Sequence, residues 1–309
     1  MKQQTDNENA LTVVGLGEAL FDCFPEGALL GGAPVNLAVH AQQLLRPLGG
    51  SAVVVSAVGQ DELGERLRRE LADRDISTQF VQQTSEFPTG KVRVTVDEAG
   101  HPEFEIAEHV AWDHIRPTDS AKRLASRCAA ICFGTLAQRS PESRATIRQL
   151  LAAAPQAWRV CDLNLRQQFY SADVIAGSFQ MANVMKLSAA ELSLAAKLLD
   201  VNSSNDADQQ AWELCKKFEL ELLILTRGKE GTVLYGNGQR VEGEVPSFPR
   251  APQADDVGAG DASCAAIVTG LLQAWPLERI VNLANRVGAY VASQPGATPR
   301  LPREILDLT

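Results

Sequence analysis

Cysteine and histidine are scarce in this chain: six cysteines and four histidines occur in 309 residues. Cys23, Cys128, Cys132, Cys161, Cys215 and Cys264 are scattered, and none forms CxxC. Cys128 and Cys132 lie four apart, but no third or fourth ligand is near them, and the histidines do not cluster. A zinc site is therefore not expected, and reduced, mostly buried thiols are. Long apolar runs are missing too. None approaches the roughly 18 residues of a membrane span. The opening MKQQTDNENA is polar, without the apolar core of a signal peptide. It reads as a loose tail, and the chain as cytoplasmic. Positive charge is in deficit, with 29 Lys and Arg against 38 Asp and Glu, a formal charge of −9. Binding to nucleic acid or to a membrane surface needs basic patches, so neither partner is expected.

Two nucleotide fingerprints are absent as well. GLGEAL (15–20) begins like GxGxxG, but Leu20 holds the last glycine position. An NAD-dependent dehydrogenase of the dinucleotide-fold kind is thereby disfavoured. TRGKEG (226–231) contains Gly-Lys, but no glycine stands five residues before Gly228, so there is no P-loop.

What is present is an ordinary globular composition, 45% hydrophobic and 22% charged. The length suits one large domain or two smaller ones. Apolar runs read as strands at 11–17, 51–59, 129–134, 159–164, 183–187 and 220–226. Helical patterns lie between them. APVNLAVHAQQLL (33–45) has helical spacing at Val35, Ala38, Val39 and Gln42, and 62–74 puts Leu63, Leu67 and Leu71 on one stripe. Alternating helices and continuous apolar strands predict a mostly parallel sheet covered on both faces. One segment, 89–113, breaks the pattern with period two: Val92, Val94 and Val96 on one face, Lys91, Arg93 and Thr95 on the other. With EAGHP as its turn it predicts a hairpin, either a lid or an edge extension of the main sheet.

Five stretches carry possible chemistry. DDVGAGDAS (255–263) places Gly258-Ala259-Gly260 just before a helical pattern, so free N–H groups at a helix amino terminus form an anion site. Asp261 in the first turn is either a helix cap or a base beside that site. GGAPVN (31–36) offers a close-approach glycine pair and an amide suited to sugar hydroxyls. In KLSAAEL (186–192), Ser188 and Glu191 make a capping box, or Glu191 reaches waters around Mg²⁺. CDLNLR (161–166) alternates Asp162, Asn164 and Arg166 at the carboxyl end of a strand, where open α/β sheets bind ligands. ILTRGKEG (224–231) is a plain turn or a nucleotide-phosphate loop.

In this order the motifs resemble the ribokinase-like (PfkB) carbohydrate kinases over residues 12–303. GGAPVN matches the family's GG-x-x-x-N signature and DDVGAGDAS its D-T-x-G-A-G-D signature. GEALFD, VSAVGQDELG, DLNLR, LTRGKEG, LANRVGA and GATPRLP add to the match, and FDCFPEG, AEHVAWD and DLNLR look most like the fructokinase branch. The resemblance implies a Rossmann-like α/β domain, residues 1–309, with a small β-sheet lid from about 20–30 and 89–113. It implies ATP, Mg²⁺ and usually K⁺, and an activity making fructose 6-phosphate from fructose. The rivals are 2-keto-3-deoxygluconate, ribose, tagatose 6-phosphate or nucleoside kinases, and a catalytically silent sugar or nucleotide sensor. Adenosine kinase is disfavoured because the hairpin has no aromatic cluster beyond Phe104. The resemblance assigns Asp261 as base and Gly258, Ala259 and Gly260 as anion hole. Asp22, Gly32, Asn36 and Arg166 would bind the sugar, and Thr226, Gly228 and Asn285 would line the nucleotide pocket. Glu191 would organise Mg²⁺ through water, and Asp255 would face a monovalent cation. Homodimers through the lid are also implied. Three positions depart from the family: Asp256 stands in place of Thr, Ser188 of Asn, and Ser263 of Phe. Asp256 is expected to point away from phosphate or to face a cation, and Ser263 to affect packing alone.

Overall fold

The structure, a computed structural model, describes residues 11–25, 27–96, 102–201 and 206–309. The tail 1–10 and most of the EAGHP turn lie outside them, as do the side chains of Val94, Thr95, Val96 and Phe104. In chain order the first elements are β1 (Thr12–Leu16), β2 (Leu20–Phe24), β3 (Gly27–Gly31), α1 (Ala33–Leu45), β4 (Ser51–Gly59) and α2 (Glu62–Ala72). They are followed by β5 (Val81–Thr84), β6 (Gly90–Val96), β7 (Pro102–Ile106), α3 (Asp119–Ala125), β8 (Ala130–Gly134), α4 (Pro141–Ala152) and β9 (Trp158–Asp162). Next are α5 (Ala172–Met181), β10 (Val184–Ser188), α6 (Ala189–Leu198), α7 (Ala207–Phe218) and β11 (Leu222–Thr226). The chain ends with β12 (Thr232–Gly236), β13 (Gln239–Glu242), α8 (Ala259–Leu272), α9 (Leu277–Val291) and α10 (Arg303–Leu306).

Nine strands form the main sheet in the order β13-β12-β11-β10-β9-β8-β1-β4-β5. All neighbours pair parallel except β11 with β12 and β12 with β13. The β-branched run of β4 is buried almost throughout, as a strand covered on both faces must be. Alternation divides its residues: Val53 and Val55 enter one core, Ala52 and Val54 the other. Helices α3 to α7 cover the first face, and α1, α2, α8 and α9 the second.

The hairpin does not extend the main sheet. β6 pairs antiparallel with β7 and parallel with β2, giving a separate four-stranded sheet in the order β3-β2-β6-β7. Asp61 fixes its start: the carboxylate caps α2 by accepting the Gly64 N–H at 2.8 Å, and it also accepts the Thr89 N–H at 2.8 Å and hydroxyl at 2.6 Å. Gly90 then passes so close to Trp112 that a Cβ would stand 2.2 Å from Nε1.

One strand end differs from the sequence reading. β9 stops at Asp162, and Asn164 and Gln167 turn left-handed with φ of 42° and 47°. The alternation of Asp162, Asn164 and Arg166 is therefore a loop rather than a strand face. Asn tolerates that conformation because its short amide bonds locally.

Candidate active site

Helix α8 begins where the Asp256–Gly260 turn feeds its amino terminus toward the carboxyl ends of β9 and β10. Gly258 is left-handed, φ 77°, and a Cβ there would stand 2.3 Å from the Ala297 carbonyl oxygen. Glycine is thus required by the turn itself and by the 294–297 loop beneath it. That loop is held by His40, whose Nε2 donates to the Ala297 oxygen at 3.0 Å; burial lowers this imidazole to about 4 and keeps it neutral. Gly260 differs: a Cβ there would meet only the Lys186 ammonium, at 3.4 Å.

Asp261 lies in the first turn of α8. The Asn36 amide, from the first turn of α1, donates to its Oδ2 at 2.9 Å across 225 residues of sequence. Burial, and then the nearby Asp162, raise this carboxyl to about 6, while Lys186, Asn36 and Arg166 pull it down. The group is ionised at neutral pH and weakly basic, as proton acceptance from a hydroxyl requires.

Two cavities meet at this turn. The first, about 570 Å³, is lined by Glu18, Asp22, Gly32, Asn36, Arg166, Lys186, Asp255, Gly258 and Asp261, with Leu20, Leu29, Val92 and Ile106 of the small sheet as its apolar wall. The second, about 640 Å³, is lined by Thr226, Gly228, Asn285, Phe248, Arg250, Ala259 and Ser263. Asp256 and Gly260 line both.

The structure brings most of the sequence candidates to these cavities. Asp22 on β2 is raised to about 6 by burial, against the pull of Arg166. Gly32 has φ 101°, and a Cβ there would stand 2.5 Å from the Glu18 carbonyl oxygen. Thr226 donates its hydroxyl to the Leu187 oxygen at 3.2 Å, and Gly228 is left-handed with φ 58°. Asn285 is committed to the fold at both ends: it accepts the Thr232 N–H at 3.0 Å and donates to the Gly243 oxygen at 3.1 Å. Glu191 lines neither cavity. Its Oε2 closes the capping box with the Ser188 N–H at 2.7 Å and hydroxyl at 2.8 Å, and its Oε1 accepts the Leu165 N–H at 2.7 Å. It therefore braces the loop that carries Arg166.

Asp255 accepts the Val257 N–H at 3.0 Å and the Gly296 N–H at 3.2 Å. Asp256 faces a cation, with its Oδ1 3.6 Å from Arg250 Nη1. Ser263 is buried and its hydroxyl has no hydrogen-bond partner.

Sequence reasoning gave no role to Glu18, His40 or Lys186. Lys186 left a signal, a lone charge inside the apolar run NVMKL. Glu18 was legible only as part of a failed fingerprint. Burial raises it to about 7 although backbone N–H groups and Arg166 oppose the shift, and its Oε2 has no partner.

Among the described residues no three His, Cys, Asp or Glu side chains group as a metal site. Glu191, its oxygens already accepting, has spare lone pairs suited to an ion's water. Asp255, pinned by two N–H groups, fits a singly charged cation.

A family model described as pfkB family carbohydrate kinase matches residues 28–304. A fructokinase of Escherichia coli is 29% identical over 308 residues, covering 93% of this chain and 95% of the relative. Fructokinase-1 of Oryza sativa subsp. japonica is 28% identical over 320 residues, covering 95% of each. The structure of an uncharacterized sugar kinase from Pyrococcus horikoshii superposes with a TM-score of 0.79 at 26% identity, over 96% of this chain and 97% of that one. A fructokinase from Xylella fastidiosa with bound ATP superposes with a TM-score of 0.81 at 24% identity, over 96% and 97%.

Proposed function

The chain belongs to the pfkB family of carbohydrate kinases, and on that premise we propose that it transfers the γ-phosphoryl group of ATP to fructose, giving fructose 6-phosphate. The observation that carries the reading is the meeting of two cavities at one helix amino terminus, with Gly260 lining both and Asp261 facing the first.

The first cavity takes the sugar. Asp22 accepts hydrogen bonds from sugar hydroxyls there and Arg166 faces sugar oxygens or the transferred phosphoryl. Asn36 holds Asp261 in place through the 2.9 Å bond. The second cavity takes the nucleotide, between the Thr226–Gly228 turn and α9. The sugar hydroxyl oxygen bonds to the γ-phosphorus as the bond to the ADP oxygen breaks, and the hydroxyl proton passes to Asp261. N–H groups of the Gly258–Gly260 turn, that of Ala259 turning from its long 3.4 Å bond to the Asp256 oxygen, stabilise the equatorial phosphoryl oxygens. Glu191 would hold Mg²⁺ through water, and the ion would supply charge neutralisation. A monovalent cation beside Asp255 would firm the same turn. The four-stranded sheet closes over the sugar and keeps water from the phosphoryl group.

Arg166 also suits a carboxylate, which makes 2-keto-3-deoxygluconate the rival acceptor. The test is ADP release from ATP across a sugar panel, with and without K⁺. Fructose should give the highest kcat/KM. A preference for 2-keto-3-deoxygluconate would reassign the acceptor, and ADP release with no sugar at all would overturn the kinase reading.

A further inference from the structure

Lys186 is a buried cation that the mechanism above does not use. It sits at the third position of β10 between Met185 and Leu187 and is 7% exposed. A lysine so deep in a sheet requires a partner. The partner is Asp162, directly across on β9, whose Oδ2 accepts from Nζ at 2.7 Å. The pair alone would be an ordinary brace. Its placement is not ordinary, because Lys186 lines the sugar cavity and its Nζ is the atom nearest the open side of Gly260. The ammonium thus lies against the turn where the two cavities meet, held there by the Asp162 carboxylate.

We propose that Lys186 is a positioning residue for phosphoryl transfer: clamped by Asp162, its ammonium sets fixed positive charge beneath the α8 amino-terminal turn where the two cavities meet. The inference rests on the assignment of Asp261 as base. The groups facing Asp261 are Asp162 from β9, Lys186 from β10, Arg166 from the following loop, Glu18 from the loop after β1, Asn36 from α1 and Cys264 on its own helix. Lys186, Asn36 and Arg166 favour the charged form, and burial and Asp162 oppose it. Arg166 is exposed, so water screens it. Lys186 is buried, and its field is correspondingly stronger.

The experiment compares Lys186→Met, Asp162→Asn, Lys186→Arg and the double variant Lys186→Met/Asp162→Asn. One readout is the pH profile of kcat/KM. The other is the titration of ¹³C-labelled aspartate carboxyls, with the Asp261 signal assigned by Asp261→Asn. Loss of Lys186 should lower kcat at least ~10-fold and move the Asp261 titration up by about one pH unit or more. Asp162→Asn should move it down, and Lys186→Arg should hold it near the wild-type position. The double variant leaves no charge unpaired, so it should recover thermal stability without recovering rate. A double variant that regains both, or an Asp261 signal unmoved in either folded single variant, overturns the proposal. If Lys186→Met does not fold, Asp162→Asn and the double variant decide. The carboxyl titration does not depend on turnover. A wild type that phosphorylates no sugar therefore counts against the function, and an unmoved Asp261 signal against Lys186.

Discussion

Glu18 shows what a cavity of this kind costs at the scale of one residue. It is 2% exposed and one of its oxygens has no partner. Its folded pKa, about 7 against an ordinary 4.5, means that the native state holds the proton more tightly than the unfolded chain. The stability this group contributes is whole below about pH 4.5 and is lost as pH rises through 7. The loss is on the order of 3 kcal/mol above neutrality. Asp22 and Asp261, both raised to about 6, act in the same direction. Glu18→Gln should therefore melt a few degrees above wild type at pH 8 and nearly with it at pH 5. An equal difference at both pH values would contradict the assignment. Asp256 belongs to the same scale. It stands where the family signature has Thr, and its exposed carboxylate lies 3.6 Å from Arg250.

The element that matters most is the turn entering α8, and its two glycines have different reasons to be there. Gly258 is fixed by its left-handed φ and by the Ala297 backbone. Gly260 has only the end of the Lys186 side chain, held by Asp162, within reach of a new Cβ, at 3.4 Å. Gly258→Ala should lower both the melting temperature and kcat, because the turn and the 294–297 loop cannot both keep their places. Gly260→Ala should keep the melting temperature within about 2 °C and still lower kcat, because its methyl group projects where the two cavities join. Thermal melts with steady-state kinetics on the two variants check this, and equal destabilisation would contradict it. The small sheet was only partly legible in sequence. Period-two alternation announced the β6–β7 hairpin, yet nothing local told that β6 would pair parallel with β2. That pairing is set by long-range contacts, the hydrogen bonds of Asp61 to Thr89 and the close passage of Gly90 past Trp112.

At the scale of the molecule, apolar runs and helical stripes carry local information, and they gave α1 and β4 to the residue. The site is another matter, since it joins residues from both ends of the chain. A glycine turn before a helix could be read as an anion site from spacing alone. That Asn36 donates to Asp261 could not, because the two meet only after α1 and α8 pack on the same face of the sheet. Lys186 and Asp162 were visible as charges in apolar strands, but their pairing depends on the β9–β10 register. The 7% exposure of Lys186 and the orphan oxygen of Glu18 are likewise products of the assembled fold.

In the proposed reaction Asp261 removes the acceptor proton where the two cavities meet. ADP release with ATP and fructose, measured for wild type and Asp261→Asn, tests it most directly. The asparagine keeps the shape of the side chain and removes its basicity, so kcat should fall by at least ~10²-fold while the melting temperature holds. Near-normal turnover from a folded Asp261→Asn protein would contradict the account.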